Sequence, residues 1–146
     1  YLHTGVQTSR RGSSLMIMTA AITCLALNVY HEARNEPMNG MYAVASVVIN
    51  RVQDDRWPNN VCAVVKDGYH KDSHKCQFSW YCDGKSDRPK EDRAWAMAVL
   101  VADDILKGTV DDVSHGATHY HANYVKPIWA KKLTRTVSYG SHIFYK

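Results

Sequence analysis

Residues 25–51 read LALNVYHEARNEPMNGMYAVASVVINR, and the fold turns on how this stretch divides into elements. Met18, Ile22, Leu25 and Val29 recur at i, i+4, i+7 and i+11, the stripe of a helix that buries one face. The next position on that stripe is Glu32. A carboxylate that continues a core-facing stripe has partly left bulk water, and desolvation raises its pKa. A glutamic acid that keeps its proton near neutrality is what general-acid catalysis needs. Pro37 ends the helix near Asn35, because the residue before a proline is pushed out of the α region. Glu32 then lies in the last turn, where the negative end of the helix dipole also disfavours ionisation. A plainer reading stands beside this one: Glu32 pairs with Arg34, Arg51 or another cation and is structural. Glu36 is a second candidate, but off the helix a carboxylate more readily bonds nearby backbone or an arginine.

Working outward, the first helix is predicted over 15–35. A second follows the short turn at Pro37-Met38-Asn39-Gly40, with Met41, Val44, Val48 and Val52 on its stripe. So short a turn makes the two helices packing neighbours, which holds Glu32 on a packed element. Trp57-Pro58-Asn59-Asn60 punctuates the chain, and Val61 to Val65 reads as a strand or a helical turn. Lys66 to Lys75 reads as a surface loop. Ser86-Asp87-Arg88-Pro89 signals the start of a third helix, with Trp95, Ala98, Ala102 and Ile105 inward and Lys107-Gly108 at its end. Asp103 and Asp104 on that helix favour a packed role over a membrane-surface one. Thr, Val, Ile and aromatic residues then dominate at 117–121 and 137–146, the strands of a small antiparallel sheet with a turn or bulge at Tyr139-Gly140-Ser141. Helices first and short strands after them give an α+β fold, mostly helical, in one domain.

The 146 residues suffice for one core that buries roughly 70% of the unfolded surface. The longest apolar run, about 15–26, is too short and too broken by Thr to span a bilayer, and no intact signal peptide precedes it. Residues 1–14 are polar and read as an arm or an expression remnant. The net charge of +4 suits an anionic envelope or nucleic acid. No basic run exceeds two residues, which argues against nucleic acid. Of the four cysteines, Cys24 falls mid-helix and reads as a small buried hydrophobe. Cys62, Cys76 and Cys82 allow one disulfide, Cys76–Cys82 first, and a free thiol. A zinc site built from these cysteines with His70 or His74 competes, although no C-x2-C pair supports it.

Tyr30-His31-Glu32-Ala33-Arg34-Asn35-Glu36-Pro37, Gly40, Ala43-Val44-Ala45 and Val48-Ile49-Asn50-Arg51 together resemble the SleB/CwlJ-type cell-wall hydrolase family. The resemblance continues through Trp57-Pro58, Gln77-Phe78-Ser79-Trp80, Gly116-Ala117 to Tyr120, Pro127-Ile128-Trp129 and Gly140 to Phe144, from about Leu25 to Lys146. The family usually reads E-A-R-G-E where this chain has Asn35. Asn is the next-best residue for a left-handed helix cap, so the departure is mild.

The resemblance implies a lysozyme/transglycosylase-type catalytic domain over 15–146 that cleaves the β-1,4 bond between N-acetylmuramic acid and N-acetylglucosamine. Glu32 would be the acid. Substrate would be held by Glu36, Gln77, Phe78, Ser79, Trp80, His119, Tyr120, His121 and Trp129. Aromatic faces stack on pyranose C–H groups while polar neighbours bond hydroxyls and acetamides. Phe78 and Trp80 read equally as core aromatics until the resemblance tips them toward the site. Most glycosidases need two carboxylates, and a lytic transglycosylase needs one, which favours transglycosylase over hydrolase. No cofactor or metal is implied. The setting implied is a monomer acting on peptidoglycan strands, as a phage endolysin made in the host cytoplasm and released at lysis, or as a periplasmic enzyme. Two other classes compete. His119 and His121 share one face of a strand and, with a further His or Cys, would make a zinc amidase or peptidase. An aromatic groove alone would make a glycan-binding domain without catalysis.

Overall fold

The computed structural model describes residues 18–69 and 75–146. Helix α1 (Ala20–Ala33) runs through the middle of the core and packs against α2 (Met38–Val52), α3 (Val61–Val65) and α4 (Asp92–Lys107). Thr19 starts α1, its side-chain oxygen accepting from the Ile22 N–H at 3.2 Å. The expected start at Leu15, and the expected arm at 1–14, lie outside the described residues. Leu25 and Val29 are fully buried as the stripe predicts, but Cys24, Ala26, Asn28, Tyr30 and Ala33 are buried as well. A helix flanked by three others has no free side, so its buried arc is wider than one stripe.

The last helical residue of α1 is Ala33, and α2 begins immediately after Pro37. In the turn between them the Glu36 N–H returns to the Ala33 carbonyl at 3.0 Å. Asn35 does not take the left-handed conformation, because His115 alone among the described non-glycine residues has positive φ. The Asn-for-Gly departure therefore carries no backbone cost. Val44, Val47 and Val48 of α2 are fully buried, and each such side chain contributes about 1.5–3 kcal/mol of hydrophobic stabilisation. Residues 61–65 are helical, with Asn60 accepting from the Ala63 N–H at 2.9 Å. Helix α4 starts at Asp92, later than the Ser86 signal: the Ser86 hydroxyl instead takes the Arg88 N–H inside an extended loop. Gly108, at φ 70°, ends α4 in the expected left-handed cap.

Strands β1 (His119–Ala122), β2 (Arg135–Tyr139) and β3 (His142–Tyr145) form an antiparallel sheet in the order β1-β3-β2. Tyr120 pairs with Phe144, and a register irregularity falls between Arg135 and Val137. The α+β reading holds. No helix among the described residues is long and apolar enough to cross a membrane.

The cysteines correct two expectations. Cys24 is not a lone hydrophobe and Cys62 is not a free thiol: they join α1 to α3, and Cys76 pairs with Cys82. A cysteine that faces a neighbouring helix looks like any small apolar residue in a periodic pattern, and its partner is set by tertiary packing alone.

Candidate active site

Glu32 stands in the last turn of α1, where that helix meets the sheet. It forms no ion pair with Arg34 or Arg51: Arg34 Nε goes to Glu91 at 2.8 Å, and Arg51 Nε donates to the Thr118 carbonyl at 2.8 Å. Instead the Tyr120 hydroxyl donates to Glu32 Oε1 at 2.5 Å. Burial raises the Glu32 pKa, against the opposing pull of the Tyr120 hydrogen bond, His31 and Arg51. Burial and the Glu32 charge hold the Tyr120 phenol well above its ordinary value, so it remains a donor.

The pair is braced from behind. Asn28, fully buried one turn before Glu32, accepts from Trp80 Nε1 at 2.9 Å. Arg51, 5% exposed, lies over the Phe78 and Trp57 rings at 5.3 and 5.0 Å. Together Asn50 and Arg51 at the end of α2 set the approach to β1. Asn50 Nδ2 donates to the Ala117 carbonyl at 2.9 Å, and Arg51 grips the next carbonyl. That clamp delivers Tyr120 to Glu32.

In front of Glu32 opens a cleft of about 220 Å³ between the α1–α2 turn and the sheet, with Glu36, Ala122, Tyr124, Ser141 and His142 on its walls. Glu36 is the other carboxylate on this cleft. Its Oε1 already accepts from the Ser141 N–H at 2.7 Å and the Ser141 hydroxyl at 2.8 Å, tying the α1–α2 turn to the β2–β3 hairpin. His142 is 8% exposed and burial pushes its pKa down, so it stands beside Glu36 as a neutral ring.

The residues expected to hold substrate do not form one set. Tyr120 meets Glu32, and Glu36 lines the cleft. Phe78 and Trp80 are 2% and 7% exposed, and they correct the expectation of sugar platforms. Phe78 lies under Arg51, and Trp80 has one face covered by the His31 ring at 4.6 Å. Gln77 and Ser79 are exposed beside them. His119 and His121 do share a face, but strand alternation puts it opposite Tyr120, and neither lines the Glu32 cleft. They pack on Trp129 at 5.1 and 5.6 Å. Burial, then Arg51 and Arg56, push the His119 pKa down to about 4.

The zinc alternative finds no ligand set among the described residues. His121 commits one ring nitrogen to the Ala122 carbonyl at 2.7 Å and the other to the Tyr145 hydroxyl at 2.8 Å, while Cys62, Cys76 and Cys82 are all in disulfides. No group of three His, Cys, Asp or Glu among the described residues is placed to hold a metal. His70 and His74 lie outside the described residues. Sequence reasoning missed Asn28 and did not see Asn50 and Arg51 as a clamp. Their signals were a polar residue on a buried helical arc and the Asn-Arg pair that closes α2.

A desolvated glutamic acid at a helix end, steadied by a phenol on one oxygen and lining a cleft, is the arrangement a general acid needs, and it stands here on an α+β scaffold. The chain belongs to the cell wall hydrolase family, whose model matches residues 35–145. That match begins three residues after Glu32, so Glu32 is singled out by its geometry. The spore cortex-lytic enzyme of Halalkalibacterium halodurans is 33% identical over 126 residues, which is 84% of this chain and 34% of that protein. The Bacillus subtilis spore cortex-lytic enzyme is 46% identical over 44 residues, 30% of this chain and 14% of that protein. The chain thus spans about a third or less of these curated relatives. Among solved structures, the catalytic domain of the germination-specific lytic transglycosylase SleB from Bacillus anthracis superposes with a TM-score of 0.69 at 26% identity, over 89% of this chain and 97% of that one. The SleB catalytic domain of Bacillus cereus gives 0.63 at 26% identity, over 86% and 89%.

Proposed function

We propose that the chain is a peptidoglycan lytic transglycosylase that cleaves the β-1,4 bond from N-acetylmuramic acid to N-acetylglucosamine. Glu32, protonated, gives its proton to the departing C4 oxygen of the N-acetylglucosamine as the bond to muramic C1 breaks. The Tyr120 hydrogen bond strengthens as the carboxylate forms, which favours the transition state over the ground state. The muramic C6 hydroxyl then attacks C1, and its proton returns to Glu32. The product is a 1,6-anhydro ring, no water is consumed, and the acid is restored.

One observation carries the reading: of the two carboxylates on the cleft, Glu32 is the one whose proton burial holds on, while Glu36 ties the α1–α2 turn to Ser141. Hydrolysis with two carboxylates would require Glu36 to serve as base or nucleophile while it holds Ser141. The names of the SleB relatives point the same way. Two disulfides favour an oxidising compartment, such as a periplasm or cell surface, as the place of action. Purified peptidoglycan digested with the wild type and with Glu32→Gln, analysed by mass spectrometry, tests the reading. Anhydro-muramic ends that vanish in the variant are expected. Reducing muramic ends would make the protein a hydrolase, and free stem peptides that persist in the variant would move the chemistry away from Glu32.

A further inference from the structure

A second cavity, of about 450 Å³, opens beside the Glu32 cleft and shares His31 and Arg34 with it. Its outer wall is the loop before α4, which contributes Lys85, Arg88, Lys90 and Glu91. Four cations therefore surround one carboxylate, and that carboxylate is already engaged by Arg34 at 2.8 Å. Lys85, Arg88 and Lys90 make no ion pair among the described residues. Asp83 and Asp87 belong to the same loop but do not line the cavity.

The wall is fixed rather than loose. The Tyr30 hydroxyl accepts from the N–H groups of Lys90 and Glu91 at 3.0 and 3.1 Å, and the His31 ring bonds the Asp87 carbonyl at 2.8 Å. The Arg34 guanidinium lies over the Tyr30 ring, 4.9 Å from its centre. Tyr30 and His31 thus fix a cationic wall from the same turn of α1 that carries Glu32.

The amino-sugar backbone of peptidoglycan is uncharged. Its carboxylates hang from the lactyl group of muramic acid, on the stem peptide, and the muramic ring is the one that Glu32 would address. We infer that the cavity binds a stem-peptide carboxylate of the muramic acid at the scissile bond, through Arg34, Lys85, Arg88 and Lys90. The inference rests on the glycan-cleaving function proposed above and makes the enzyme selective for strands that carry charged stems.

The test uses glycan strands freed of phosphate polymers, so that carboxylates are the anions present. One batch keeps its stem carboxylates, and the other has them converted to amides. The wild type is expected to show a KM about 3- to 10-fold lower on the charged strands, the scale of a few exposed charge pairs, with the difference fading at high salt. Lys85→Gln combined with Arg88→Gln, both exposed positions, should raise KM on charged strands to the amidated level and leave KM on amidated strands unmoved. Equal wild-type KM on the two batches, or a variant that weakens both alike, overturns the inference. Calorimetric binding of both batches to Glu32→Gln separates it from the reaction itself. A charge preference in binding without any glycan cleavage by the wild type would retain the cavity's role and remove the transglycosylase. Cleavage without preference would do the reverse.

Discussion

Tyr120 is the residue on which the acidity of Glu32 depends most directly. Burial raises the Glu32 pKa, and the Tyr120 hydrogen bond is the largest of the effects that lower it again. The proposed mechanism needs protonated Glu32, so activity is expected to fall as pH rises through that raised pKa. Tyr120→Phe removes a lowering influence, and the alkaline limb of the kcat profile is expected to move to higher pH. The plateau should fall about 10- to 100-fold, since a hydrogen bond to a charged group contributes roughly 1.5–3 kcal/mol and this one strengthens as the carboxylate forms. A limb that moved to lower pH, or an unchanged plateau, would uncouple Tyr120 from the acid. His119, held down to about 4, is neutral through this range and contributes nothing to the limb.

At the scale of elements, the decisive contact is between the α1–α2 turn and the β2–β3 hairpin. Gly140 sits in that hairpin at φ 53°, and a Cβ there would come within 2.7 Å of Pro37 Cδ and 2.8 Å of Glu36 Oε1. Gly140→Ala must move the hairpin and weaken the Glu36–Ser141 bonds, at an expected cost of about 2–4 kcal/mol from backbone strain and lost contact together. Gly84 is a control at φ 76° with open space around its position, where Ala should cost only the left-handed conformation, about 1–2 kcal/mol. Urea unfolding of both variants checks the order; equal losses would mean that the turn and hairpin are not coupled. The elements themselves were legible because hydrophobic period separates helices from strands: Val44 and Val48 mark α2, and Gly108 marks the end of α4. The α4 start was not, since Ser86 and Pro89 serve an extended loop as well as they would serve a helix. Phe78 and Trp80 misled for a related reason. An aromatic in a short turn has the same local sequence whether it faces a sugar or a core, and only distant residues decide it: Arg51 over Phe78, and Asn28 and His31 against Trp80.

For the whole molecule, the two disulfides divide stability from activity. Cys24–Cys62 spans 38 positions and ties the central helix to α3, whereas Cys76–Cys82 spans 6 and closes the segment that holds Phe78 and Trp80 beneath Arg51 and His31. Loop-closure entropy gives about 4 kcal/mol for a loop of the first length and about 2 kcal/mol for the second. Replacing Cys24 and Cys62 with Ala should therefore produce the larger fall in unfolding free energy, while kcat, measured well below the unfolding midpoint, stays close to wild type. Replacing Cys76 and Cys82 with Ala should produce the smaller fall and the larger loss of kcat. Trp80 Nε1 would no longer be held on Asn28, which lies one turn before Glu32 on α1. The opposite ordering in kcat would show that the acid is braced by helix packing alone. The expected ordering would show that a short covalent loop, far from Glu32 in sequence, sets the rigidity of the site through a buried indole and an amide.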